Sequence, residues 1–259
     1  MKKDRYPKRI IYYETLADDF QSCDNPKRID RSYRYIRDGY FHRVLSFILY
    51  RLIATPVGFI HAALFLRTRV IGRGKLRSAR GYVLVHNHTE TVGDAFSPTL
   101  IAFPRRVHVV VHPDNVSLPV LGRLTPMLGA LPVPCDLGGA RNLSAAVSSL
   151  LLDGRVVAVY PEAHVWDKHT ALRPFDVGAF DFAAKNGAPV FSATRVYRRH
   201  RLFGYVTRIY VDGPFYPDST LSRSQAAARL CEEVRAKMEE RSMLNSVTII
   251  EYRKKEEND

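Results

Sequence analysis

After Arg67 the chain alternates short apolar runs with longer segments of helical spacing. The runs "RVIGRG", "GYVLVHN", "RVHVVVHP", "ALPVP", "RVVAVYPE", "APVFSATRVY" and "TRIYVDGPF" read as strands, being short, rich in valine and isoleucine, and apolar at successive positions, as strands covered on both faces are. Between them "DAFSPTLIAF", "NLSAAVSSLLLDG", "VGAFDFAAKNG" and "STLSRSQAAARLCEEVRAKMEERS" read as helices. The second closes on a glycine suited to a C-cap, and the last opens on a Ser/Thr cluster suited to an N-cap. Strands separated by helices predict one α/β domain over residues 70–259, with a mixed, largely parallel sheet flanked by helices.

The chain ahead of this domain has a different character. Residues 1–40 form a polar, tyrosine-rich extension in which "ADDF" reads as a turn or a short helix. Residues 41–69 carry an apolar stretch, Phe41 to Leu66, broken by Arg51, Pro56, Gly58 and His61. A spanning helix needs roughly 20 uninterrupted apolar residues, and the longest charge-free piece, Leu52 to Leu66, has a proline and a glycine near its start. Proline disfavours continuation of the preceding turn, so the pattern predicts a hairpin of two short helices meeting near Pro56. Such a hairpin either packs on the core or lies in the lipid headgroup zone. Arg43, Arg51, Arg67 and Arg69 favour the second, since a cation beside an anionic leaflet is worth about 1 kcal/mol.

Charge narrows the partners. Lysine and arginine number 39 against 26 acidic residues, a formal charge of +13, which points to nucleic acid or an anionic membrane surface. The basic residues are scattered, and no helix-turn-helix, zinc-finger or RNP signature accompanies them, so nucleic acid is set aside. Cys23, Cys135 and Cys231 lie far apart and are odd in number. That fits a reducing compartment and argues against a disulfide framework or thiolate zinc site. The basic start is not followed by the apolar core of a cleavable signal. The expected location is the cytoplasmic face of the cell membrane, peripheral or monotopic.

Polar groups at the carboxyl ends of strands are where α/β sheets bind ligands. "HNHTETVGDAF" follows "GYVLV", and "YPEAHVW" follows "RVVAV". His88 is a candidate general base and Asp94 a candidate orienting carboxylate, while an Asp that merely caps the following helix is the plain alternative. Strand alternation would put His86 and His88 on one side, and with Asp94 they make a candidate zinc site of a hydrolase, the competing chemical reading. A basic lipid-binding module is the non-enzymatic one. At the second strand end Pro161 stiffens the exit that carries Glu162.

Taken in order, these blocks resemble the family of lysophospholipid and glycerophosphate acyltransferases. "NHTETVGD" is similar to that family's NH-x4-D block, "GALPVPCD" to its G-x-x-F-x-x-R block, "YPEAHVW" to its apolar-Pro-Glu-Gly block, and "APVFSATRVY" to its fourth, apolar block. Five residues rather than four separate His88 from Asp94, Pro132 stands where an aromatic is usual, Cys135 where a phosphate-binding arginine is usual, and Ala163-His164-Val165 where Gly-Thr-Arg is usual. The resemblance implies acyl transfer from acyl-CoA or acyl-carrier protein to a hydroxyl of a lysophospholipid-like acceptor such as 1-acyl-glycerol-3-phosphate. His88 and Asp94 would be catalytic, and Glu162, Gly129 and Pro161 would shape the acceptor site. Arg141 and Arg173 are the nearest candidates to grip a phosphate. No G-x-S-x-G elbow is present, in keeping with direct transfer, and the reading calls for no cofactor or metal.

Overall fold

The computed structural model describes residues 6–20, 27–119 and 121–255; Cys23 and the last four residues of the charged tail lie outside them. In chain order the strands are β1 (Arg9–Tyr13), β2 (Arg69–Ile71), β3 (Tyr82–His86), β4 (Val107–Val111), β5 (Ala130–Pro132), β6 (Val156–Val159), β7 (Val190–His200), β8 (Gly204–Phe215) and β9 (Ile250–Lys254). Seven of them make one sheet in the order β2-β8-β7-β3-β6-β4-β5. Every neighbouring pair is parallel except β7 with β8. The carboxyl ends of β3, β4, β5, β6 and β7 therefore open on one edge. This is the mixed, largely parallel α/β sheet that the sequence predicts.

The apolar runs are unbroken because both faces of the sheet are covered. On β3, Val83 and Val85 join one core cluster with Leu143, Val147, Phe180, Leu230 and Val234, whereas Tyr82 and Leu84 join the other with Leu76 and Ile101. The first face is covered by helices Leu137–Leu152, Gly178–Asn186 and Arg223–Ser242, the second by helix Gly93–Ala102 and the turn Arg73–Ser78. Helix Leu137–Leu152 begins five residues before the predicted start at Asn142, because Asp136 caps it by accepting from Gly139 N at 2.6 Å.

The predicted hairpin at Pro56 is a single helix instead, which we call α1 (Tyr40–Leu64), 25 residues long. Its middle, Ile48–Ala54, is wound as a π-helix. Widening the turn moves backbone carbonyls away from the proline ring and allows the helix to run through Pro56. It also keeps the buried stripe in register: Ser46, Tyr50, Thr55, Gly58 and Ala62 face inward, with one step of five residues across the π turn. Tyr50 Oη lies 2.8 Å from Thr99 Oγ1 and accepts from Val107 N at 3.0 Å, tying α1 to the sheet domain. The opposite side of α1 is bare. Phe41 is 85% exposed, Phe47 57% and Leu52 63%.

The polar extension is not a separate tail. β1 pairs parallel with β9, a strand the sequence reading merged into the charged tail. Trp166, fully buried, stacks on Tyr252 and packs against Tyr13 and Phe20, and its Nε1 donates to Asp18 O at 2.9 Å. The "ADDF" segment is a turn, with Asp18 accepting from Glu14 N and Thr15 N. Residues 13–20 and strand β9 thus cover the loop that follows β6.

Candidate active site

β3 ends at His86, and the loop that leaves it carries His88 to the sheet edge. His88 Nδ1 stands 2.8 Å from Asp94 Oδ2, across the five-residue spacing. The same oxygen accepts the main-chain N–H groups of Thr89 at 2.9 Å and Glu90 at 3.0 Å. Asp94 is both a helix-start carboxylate and a partner of the imidazole, so the two sequence readings of it coexist. Burial pushes its carboxyl upward, but Arg195 and His88 together outweigh that and hold it below the ordinary carboxylate value.

With Nδ1 donating to Asp94, the hydrogen-bond network leaves Nε2 of His88 with its lone pair. The imidazole stacks on Tyr160 at 4.3 Å between ring centres, and Tyr160 Oη donates to Asp94 O at 2.6 Å. The ring is 21% exposed while Asp94 is 2% exposed, so the imidazole is reachable and its carboxylate partner is not. Such an arrangement can take a proton from a hydroxyl held in front of it.

Two further carboxylates brace the loop from behind. Glu162 Oε2 accepts His88 N at 2.9 Å, and its Oε1 accepts Arg173 N at 3.1 Å. Burial raises the Glu162 carboxyl, opposed by the Arg173 guanidinium. Glu90 pairs with Lys168, whose main-chain N donates to Thr89 O at 2.8 Å, and Trp166 N donates to His88 O at 3.1 Å. Burial and the nearby Arg195 bring the Lys168 ammonium down to about 7. The loop after β6 thereby clamps the loop after β3.

In front of His88 lies a mostly apolar cleft of about 1100 Å³, lined by His88, Asp94, Tyr160 and Pro161, by Val109, Val111, Leu128, Val133, Leu143 and Phe182, and by the cations Arg141, Lys185 and Arg223. Arg141 is exposed on this wall and carries no ion pair among the described residues. Gly129 falls between the lining residues Leu128 and Ala130. Its φ of +98° and the 2.6 Å that would separate a Cβ from Val107 O require glycine there.

Three sequence expectations are corrected in placement. Arg173 does not face the cleft: it is 1% exposed, bound to Glu162 and to His164 O, and lies over the Trp166 ring. Glu162 is likewise 5% exposed and holds the His88 main chain. His86 is fully buried, its Nδ1 2.7 Å from Asn87 O, and burial lowers it to about 4. Alternation fails beyond His86 because the strand stops there, which separates the two histidines of the zinc reading. No group of three or more His, Cys, Asp and Glu side chains is arranged to hold a metal ion among the described residues.

Arg195 was not singled out by sequence. Its side chain is wholly buried and donates to Asp94 Oδ1 at 2.7 Å. The signal was present: an arginine inside "APVFSATRVY", an apolar run covered on both faces, must find a buried counter-charge.

The His–Asp pair lies at the carboxyl edge of a mixed α/β sheet and faces a mostly apolar cleft, the place where such sheets bind ligands. Residues 67–195 match the family model described as Acyltransferase, and the chain belongs to that family, as an O-acyltransferase. No curated protein matches the sequence. Among solved structures the chain is similar in fold to the 1-acyl-sn-glycerophosphate (LPA) acyltransferase PlsC from Thermotoga maritima, with a TM-score of 0.53 and 16% identity over 77% of this chain and 87% of that one.

Proposed function

We propose that the protein acylates a lysophospholipid-like acceptor, such as 1-acyl-glycerol-3-phosphate, from acyl-CoA or acyl-carrier protein in phospholipid biosynthesis. The observation that carries this reading is the 2.8 Å contact of His88 with Asp94 at the wall of an apolar cleft large enough for an acyl chain. His88 Nε2 takes the proton as the acceptor oxygen attacks the thioester carbonyl. The new C–O bond forms, the C–S bond breaks, and the imidazolium returns the proton to the departing thiolate. Asp94 stabilises the imidazolium in between. Arg141 is the cation available to an acceptor phosphate, because Cys135 occupies the family's usual arginine position and Arg173 is engaged by Glu162.

Membrane association follows from α1. Its exposed apolar side and the cations Arg43, Arg51, Arg67 and Arg69 suit a helix seated in the headgroup zone of an anionic, cytoplasm-facing leaflet. The test is acyl transfer from both donors to a panel of lysophospholipids by native protein and His88→Ala. Transfer that vanishes in the variant supports the reading, and a panel without transfer by native protein overturns it.

A further inference from the structure

Arg195 is an unusual occupant of a central strand: residues 190–197 of β7 are all buried, and a leucine there would fill the core at lower cost. Its main chain is joined to Asn87 in both directions, Arg195 N donating to Asn87 Oδ1 at 2.7 Å and Asn87 Nδ2 donating to Arg195 O at 3.1 Å. The guanidinium is thereby fixed relative to the residue before His88. Nη2 donates to Asp94 Oδ1 at 2.7 Å and also to Ser97 Oγ, while Nε and Nη1 are buried with no acceptor among the described residues. Gly93, inside the widened turn, leaves room for it: a Cβ there would stand 3.2 Å from Arg195 Nη1. Asp94 is held from both sides, Oδ2 by the loop and Oδ1 by Arg195.

We propose that Arg195 is a positioning residue of the dyad, its guanidinium keeping Asp94 an aimed carboxylate across the five-residue turn. This rests on the reading of His88 as the base. The loop holds one oxygen and Arg195 the other, so the carboxylate cannot turn about its Cβ–Cγ bond without breaking one of these contacts.

The surroundings leave Arg195 as the charge that matters to Asp94. From β3 comes His86, held near 4 and so neutral; from just beyond β6 Tyr160 and from β7 Tyr197, whose hydroxyls burial keeps protonated. From the loop after β6 come Glu162, which Arg173 compensates, Asp167, raised by burial, and Lys168, which Glu90 compensates; from α1 comes His61, lowered by burial. Taking away the Arg195 charge makes proton uptake by the His88–Asp94 pair easier whichever group receives the proton, so the pair titrates at higher pH.

The experiment crosses charge with geometry. Arg195→Gln keeps a donor and loses the charge, whereas Arg195→Lys keeps the charge and loses the fork. Folding is checked by thermal unfolding, and the pair is titrated by NMR on histidine-labelled protein, the His88 signal being assigned from His88→Ala. We expect the midpoint to rise by on the order of one pH unit in Arg195→Gln. In Arg195→Lys it stays in place while kcat falls about 10-fold or more with KM little changed. A folded Arg195→Gln with an unmoved midpoint, or Arg195→Lys with full kcat, overturns the proposal. Two variants that do not fold also overturn it, leaving Arg195 a structural residue. A midpoint that shifts in a protein transferring no acyl group sinks the acyltransfer reading instead, and supports the electrostatic role.

Discussion

His88 Nδ1 and Asp94 Oδ2 meet at 2.8 Å although five residues separate them, one more than the family's block has. The extra residue is absorbed because Thr89 N and Glu90 N turn inward onto the same oxygen that the imidazole uses. If this pair is the base, His88→Ala and Asp94→Asn each lower kcat by about 10²- to 10⁴-fold. Single-turnover acyl transfer at matched folding measures it, and variants that keep native rates remove the dyad from the mechanism.

Glu162 and Arg173 make a second, separable prediction. Both are buried and paired, so Arg173→Met strands a carboxylate and costs about 3–5 kcal/mol of stability. Adding Glu162→Leu removes the stranded charge and recovers much of that loss. Activity does not return with it, since the His88 main-chain N–H loses its acceptor. Chemical denaturation of the three proteins beside their turnover numbers checks this; recovery of rate together with stability would mean that Glu162 does not hold the base.

Much of this was legible in the sequence, and the misses share a cause. The inner strands β3, β6 and β7 were readable because burial on both faces makes them continuous apolar runs. β1 and β9 were not, because they bury little and pair only with each other. The π turn in α1 was invisible for a related reason: a proline says that the ordinary ladder is interrupted, not that a wider one takes over. His88, Asp94 and Pro161 stand out in the sequence from their place after apolar runs. Glu162 and Arg173 were found but given ligand roles, because sequence shows which charges stand at a strand end and not which of them turn back to pair.

Asp212 on β8 predicts how stability follows pH. It accepts Lys75 Nζ at 2.7 Å and Arg241 Nε at 2.7 Å, fastening helix Arg223–Ser242 and the turn after β2 to β8. Burial opposes ionisation, but Arg241 and Lys75 prevail and bring the carboxyl from 3.8 to about 2. A lowered carboxylate stabilises the fold above its unfolded value of 3.8 and loses that contribution as pH falls through about 2. Asp212→Asn therefore costs about 1–2 kcal/mol near neutrality, allowing for solvent screening at the exposed Lys75. The gap between native and variant proteins in denaturant titrations narrows below pH 4 in relation to that carboxylate. A gap of constant size across the acid range would show that the ion pairs contribute nothing.

The bare side of α1 gives the last prediction. Phe41, Phe47, Leu52 and Leu64 are each more than half exposed, on a helix whose other side is fixed to the domain through Ser46, Tyr50 and Gly58. A face so apolar on an otherwise basic protein is unfavourable in water, at roughly 25 cal/mol for each Å² left exposed. Seating it in a headgroup zone removes that cost while the flanking arginines meet anionic lipid. Phe41→Glu combined with Leu52→Glu changes only exposed positions, so thermal stability stays within about 0.5 kcal/mol of native. Binding to vesicles containing anionic lipid drops at least tenfold, since two large apolar contacts worth about 1.5–3 kcal/mol each are replaced by charges. Co-sedimentation reads the first effect and transfer to a short-chain, water-soluble acceptor reads the second: the double variant keeps its rate on the soluble acceptor and loses it on the bilayer. Undiminished vesicle binding would show that α1 is not the surface that meets the lipid.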